Sequence, residues 1–187
     1  VSFYLFYFYF CKLSKTAMSH TTTEIKKEEK KELYAYQQGD INAIFDRLEN
    51  APKNHHLLYQ LPTGGGKTVI FSEIVRRYLA EYNKKVVVLT HRIELCKQTS
   101  KMLKSFNVKN KIINSVIKEL PDQEEYSCFV AMVETLKNRL NDEKLEIDNV
   151  GLVIIDEAHY NSFRKLLTSF KNSFILNVVI ISKKICT

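Results

Sequence analysis

No two of the four cysteines, Cys11, Cys96, Cys128 and Cys186, stand close enough to form a C-x-x-C pair. A zinc site or disulfide framework is therefore not expected, and the thiols read as reduced groups of a cytosolic protein. There is no H-E-x-x-H sequence and no Cys/His cluster to suggest a metal centre. Long apolar runs are lacking too. A membrane span needs about 20 apolar residues, and the run VSFYLFYFYF at 1–10 is stopped by Lys12. Nor does that run suit a signal peptide, whose charge comes before the apolar stretch; here Lys12 and Lys15 come after it. No membrane association is expected. The chain begins at Val1, and a soluble-looking sequence opens at Met18, so residues 1–17 are expected to lie outside the natural product. Acidic charge is in deficit: 28 Lys and Arg face 21 Asp and Glu, a formal net charge of +7. Such a balance suits a polyanionic partner such as nucleic acid, and equally an ordinary basic surface.

Residues 19–32, SHTTTEIKKEEKKE, alternate in charge and read with 1–17 as a lead-in, a solvated helix or disordered. Apolar periodicity begins at Leu33. Ile41, Ile44, Phe45 and Leu48 fall at helical spacing, with Gly39 or Asp40 as the expected start and Asn50-Ala-Pro52 as the stop. HLLYQL (56–61), KVVVLT (85–90), YSCFVAM (126–132), NVGLVIIDEA (149–158) and SFILNVVII (173–181) read as buried strands. Between them lie helical stretches: TVIFSEIVRRYLAEY, with Ile70, Phe71, Ile74, Val75, Tyr78 and Leu79 on one face; HRIELCKQTSKMLKSF, with Ile93, Leu95, Met102 and Leu103 inward; VETLKNRL; and YNSFRKLLTSF. Continuous apolar strands alternating with amphipathic helices predict an α/β fold, a mainly parallel sheet with helices on both faces. Ligands of such sheets sit at the carboxyl ends of the strands.

Glycine is scarce, and three of the five glycines stand together in LPTGGGKTVIF (61–71). A strand, then GGGKT, then a helix is the layout of a phosphate-binding loop. Glycines let successive backbone N–H groups turn toward phosphates, and the new helix adds its positive end. Lys67 can reach the β and γ phosphates of a nucleotide, and the Thr68 hydroxyl can bind Mg²⁺. Leu61 stands where the general G-x-x-x-x-G-K-[ST] pattern has its first glycine. The second half of such a site is a carboxylate at a neighbouring strand tip. LVIIDEAH (152–159) supplies Asp156 to hold Mg²⁺ through water and Glu157 to orient or deprotonate the attacking water.

PTGGGKT (62–68) with DEAH (156–159) resembles the first motor lobe of superfamily 2 helicases and translocases, the branch that includes the helicase subunits of type III restriction enzymes. In that family's loop, P-T-G-x-G-K-T, Leu61 is no departure. The resemblance implies a P-loop NTPase (RecA-like) fold, ATP with Mg²⁺, and a nucleic-acid partner, with DNA favoured over RNA. It implies loop contacts from Thr63, Gly64, Gly65, Gly66, Lys67 and Thr68, and catalytic roles for Lys67, Asp156 and Glu157. LYAYQQ (33–38) is similar to the element whose glutamine reads adenine, here Gln37. LTHRIELCKQT (89–99) and VAMVETL (130–136) are similar to motifs that contact the nucleic-acid backbone, which implies Thr90, His91, Arg92, Gln98, Glu134 and Thr135. In the family, His159 couples nucleotide state to nucleic acid.

The resemblance covers roughly residues 33–176 and fails from Asn177, where the family has an S/T-A-T segment. Residues 177–187 are expected to be a divergent, truncated end, with the second lobe and its ATP-completing arginines missing. Val178, Val179, Ile180 and Ile181 are expected to leave an apolar sheet edge. The function expected is the ATP-binding lobe of a nucleic-acid-dependent ATPase. The alternative is an inactive nucleotide-dependent binding module or a gene remnant.

Overall fold

The computed structural model describes residues 32–50, 55–62, 64–115, 124–141, 146–156, 166, 170 and 173–181. Helix α1 (Ala35–Asn50) leads into strand β1 (His56–Pro62), followed by α2 (Lys67–Glu81), β2 (Lys85–Thr90) and α3 (Ile93–Ser105). Then come β3 (Asn110–Ile113), β4 (Cys128–Met132), α4 (Val133–Asn141), β5 (Val150–Asp156) and β6 (Phe174–Ile181). The six strands form one sheet in the order β1-β6-β5-β2-β4-β3. Every pairing is parallel.

Alternation along the strands builds two cores. Val86 and Val88 of β2 face one way, with Leu152 and Ile154 of β5, under α1, α2 and α3. Val87 and Leu89 face the other way, with Val153 and Ile155, and meet Val133 and Leu136 of α4 together with Leu166 and Phe170. A strand covered on both sides has no polar face, which is why KVVVLT reads as a continuous apolar run. Among the described residues no helix is long and apolar enough to cross a membrane.

Four details depart from the sequence reading. Helix α1 starts at Ala35, a full turn before Gly39 and Asp40, because Gln37 and Ile41 already belong to its buried face. Helix α3 turns Cys96, Thr99, Ser100 and Leu103 inward, whereas Ile93, Leu95 and Met102 are only half-buried. The edge strand β3 carried no clear signal: four residues, NKII, are too short to show a period. Its Asn110 is buried and held by Ser100 and Val108. Lastly, β6 continues through Asn177 to Ile181 and lies between β1 and β5, pairing with β1 as far as Pro62↔Ile181. Val178 is thus an interior position, paired with both β1 and β5, and residues 179–181 pair with β1; the edge strands of the sheet are β1 and β3. The helix expected over YNSFRKLLTSF lies largely outside the described residues.

Candidate functional site

The carboxyl ends of β1 and β5 carry the loop and the acid. After Pro62 the chain must reverse into α2 within four residues. Gly64 and Gly66 do this with φ of +82° and +72°, a region that costs any residue with a Cβ. The Gly65 N–H donates to the Pro62 carbonyl at 3.0 Å, which closes the turn. A Cβ on Gly65 would stand 3.1 Å from that same carbonyl oxygen. Gly66 is the N-cap of α2, and among the described residues no side chain caps the helix. Its first turn contains no acid. The opening amides of α2 therefore present a positive end suited to an anion.

Lys67, the first residue of α2, reaches across β6 to the tip of β5, where its Nζ lies 2.8 Å from Asp156 Oδ1. The pair is largely shielded, with side chains 17% and 3% exposed. Thr68 follows on the first turn of α2, half-buried. Loop cation and strand-tip carboxylate, 89 positions apart by the difference of their numbers (156 − 67), are thus brought into direct contact by the parallel sheet. Thr63 and Glu157, like His159, lie outside the described residues.

Gln37 packs against the loop. It is 3% exposed, its Oε1 accepts the Tyr34 N–H at 3.0 Å, and its Nε2 fills the space where a Cβ on Gly66 would go, 2.6 Å away. The neighbouring Tyr36 hydroxyl donates to the Gly65 carbonyl at 3.2 Å. Rings Tyr34 and Tyr36 stack at 5.9 Å between centroids and are both exposed. Nothing in the sequence signalled Tyr36 beyond its place before Gln37.

The residues assigned to nucleic acid fall into two groups. Arg92 and Gln98 are exposed at the start and on the outer face of α3, and Glu134 is exposed at the start of α4 with Thr135 half-buried beside it. These starts follow β2 and β4, so they share the carboxyl end of the sheet with the loop. Thr90 differs from the expectation. It is fully buried, and its hydroxyl donates to the Arg92 carbonyl at 3.1 Å and lies 2.9 Å from Cys96 Sγ. Its hydroxyl is thus engaged within the turn that presents Arg92. His91 is half-buried between the two.

Behind the loop, α2 carries a buried acid that the sequence reading passed over. Glu73, 6% exposed, takes Arg76 on both oxygens at 2.7 Å and Arg77 at 2.8 Å. Burial pushes the Glu73 carboxyl up, but the two arginines outweigh it and leave it below the usual carboxylate range. Tyr78 on the same helix lies over β5, and a Cβ at Gly151 would meet its hydroxyl at 2.2 Å. Burial raises that hydroxyl to about 12.

A parallel sheet with helices on both faces, a glycine loop after its edge strand β1 and an acid at the tip of β5 define a P-loop NTPase of the RecA-like kind. Residues 30–178 match the family described as type III restriction enzyme, res subunit, and the chain belongs to that family. It is 37% identical over 147 residues to the putative ATP-dependent helicase IRC3 of Saccharomyces cerevisiae, covering 74% of this chain and 21% of the relative. It is 26% identical to the human protein named helicase POLQ-like, over 69% of this chain and 13% of that one. Among solved structures, the UvsW helicase of bacteriophage T4 superposes with a TM-score of 0.57 at 18% identity, covering 77% of this chain and 51% of that one. The Hef helicase domain of Pyrococcus furiosus gives 0.59 at 22% identity, over 77% and 32%. The chain spans 21% and 13% of the two curated relatives named here, and it is the ATP-binding first lobe of a superfamily 2 helicase.

Proposed function

We propose that this lobe binds ATP with Mg²⁺ at residues 63–68 and guides one strand of DNA past Arg92, Gln98 and the start of α4. The observation that carries the reading is the contact of Lys67 with Asp156 at 2.8 Å under a left-handed glycine loop. The donor set fits a nucleotide. Backbone amides and Lys67 are the anion-binding half, and the shielded Asp156 with the Thr68 hydroxyl is an oxygen set suited to a hard cation. Among the described residues no three His, Cys, Asp or Glu converge on one point.

Asp156 and the Thr68 hydroxyl would hold Mg²⁺, which when bound would supply neutralisation of the phosphate charge. The chain's own groups do the rest. Lys67, now on the Asp156 carboxylate, would turn to the β and γ phosphates, which would release Asp156 to hold the ion. Glu157 orients or deprotonates the attacking water, so Glu157→Gln keeps nucleotide affinity while stopping hydrolysis. Gln37, beside Gly66, reads the adenine.

DNA is favoured because one structural neighbour, the Type ISP restriction-modification enzyme LlaGI, is described in complex with a DNA substrate mimic. RNA is the second reading, since the mouse relative DHX58 is named an ATP-dependent RNA helicase. Competition between single-stranded DNA and RNA of one sequence separates the two. A cytosolic setting suits the free, buried thiols of Cys96 and Cys128. Unwinding needs two lobes that close and reopen around ATP, of which residues 30–178 match one. Titration of a fluorescent ATP analogue, displaced by ATP with Mg²⁺, tests the reading; absence of saturable binding overturns it.

A further inference from the structure

Helix α1 is held to the nucleotide loop by more than its apolar stripe. Ile41, Ile44 and Phe45 bury one face, and three polar contacts flank it. The Tyr36 hydroxyl donates to Gly65 in the loop itself. One turn further along, Asp40 Oδ2 accepts the hydroxyl of Tyr59 at 2.6 Å, from the middle of β1, the strand that delivers the loop. On the other flank Asn42 Oδ1 accepts Arg77 Nη1 at 3.0 Å, from α2, the helix that leaves the loop. Arg77 is itself fixed by the buried Glu73. The three consecutive pieces of the strand–loop–helix unit are thus each tied to α1, on both sides of the turn that carries Gln37.

We infer that Asp40 and Tyr59 are positioning residues for nucleobase selection: their hydrogen bond sets the height of α1 over β1 and so fixes Gln37 against Gly66. The inference rests on the reading that Gln37 recognises adenine. The mechanical logic is short. Gln37 has no freedom of its own, since its Oε1 is held by Tyr34 and its Nε2 abuts the loop. Its place relative to a bound base is therefore the place of α1. Sliding α1 along β1 by a fraction of a turn would move the amide away from the base, while the amides of residues 66–68, at the opening of α2, stay put. The tie is half-buried, and burial together with Asp40 pushes the Tyr59 hydroxyl well above its usual range. The hydroxyl thus keeps its proton and stays a donor at any working pH. A short, partly shielded bond from a protonated hydroxyl to a carboxylate is among the stronger ties available to a helix.

The test compares dissociation constants for fluorescent ATP and GTP analogues, and for inorganic tripolyphosphate by competition, in the parent chain and four variants. Tyr59→Phe keeps the ring in place, and Asp40→Ala removes the acceptor. Asp40→Asn leaves an oxygen that can still accept, and Gln37→Ala serves as the reference for loss of base reading. Expected are a fall in the ATP-over-GTP preference of about threefold to tenfold in Tyr59→Phe and Asp40→Ala, the range one hydrogen bond supplies. Tripolyphosphate affinity should be unchanged, and Asp40→Asn should retain the preference. A purely structural role would lower all three affinities together with the melting temperature and leave the preference intact; that result overturns the inference. If Gln37→Ala abolishes the preference while Tyr59→Phe preserves it, the inference fails alone. If Gln37→Ala preserves it too, the adenine reading fails and the inference with it.

Discussion

Two groups of candidate residues share the carboxyl end of the sheet and are built differently. On the nucleotide side, Gln37 is 3% exposed, the Asp156 side chain 3% and the Lys67 side chain 17%. Each already touches another part of the lobe. On the other side, Arg92, Gln98 and Glu134 stand exposed on the openings of α3 and α4. The contrast fits the two ligand classes proposed for them. A nucleotide is small and must be discriminated, which takes groups fixed before it arrives. A nucleic-acid backbone is a repeating line of charge, and a solvated cation such as Arg92 can bind it through counterion release without a fixed geometry. Substitutions on the first side should therefore cost much and act on specificity. Those on the second should cost little and be salt-sensitive.

The largest effect is expected at Lys67. Lys67→Ala removes a shielded cation and should weaken ATP binding by on the order of a hundredfold, the upper range for a charge-assisted contact. An unchanged affinity in a calorimetric titration would place the phosphates elsewhere. Gly66→Ala comes next. Its φ of +72° disfavours a Cβ, and that Cβ would stand 2.6 Å from Gln37 Nε2. Strain of about 1–2 kcal/mol should appear as a lower melting temperature together with a weaker ATP preference. A loss of stability with the preference intact would separate loop geometry from base reading.

Glu73→Gln should destabilise the lobe by about 1–2 kcal/mol at neutral pH, less than a fully buried pair because its arginines are partly exposed. The pH dependence has a definite sign. The Glu73 carboxyl is held below the usual range, so its contribution is present above the unfolded carboxylate range and is lost as pH falls through the folded value. Parent and variant should therefore converge in acid. A gap in chemical denaturation that persists below the folded value would assign the effect to packing. Smallest of all, Arg92→Ala should weaken single-stranded DNA binding a few-fold and lower the salt slope by about 0.7. A parent response that is flat between two salt concentrations would remove backbone binding from this face.

The same contrast governs how much could be read from the sequence. Glycine runs, apolar strands and the acid after four aliphatics are local signals, so the sheet, the loop and the Asp156 tip were legible. Side-chain contacts between elements were not. Asp40 looked like a helix start, and only the docking of α1 on β1 brings it to Tyr59. Thr90 ends the strand KVVVLT, and its hydroxyl's neighbours depend on α3 packing over β2, where Cys96 meets it. The strand NKII is too short for periodicity and exists because β4 offers it a free edge. The residues 178–181 looked like an exposed edge because the sequence does not state strand order, which places β6 between β1 and β5.

The central claim is that ATP binds on the preorganised side, at the glycine loop under Gln37. An amide-resolved NMR titration of the 187-residue chain with ATP and Mg²⁺ tests it most directly. The account predicts saturable shifts at Gly64–Val69 and at Tyr36 and Gln37, with Asp156 following and the exposed residues Arg92 and Gln98 little changed. Shifts centred on the α3 and α4 openings, with the glycine amides unmoved, would contradict it.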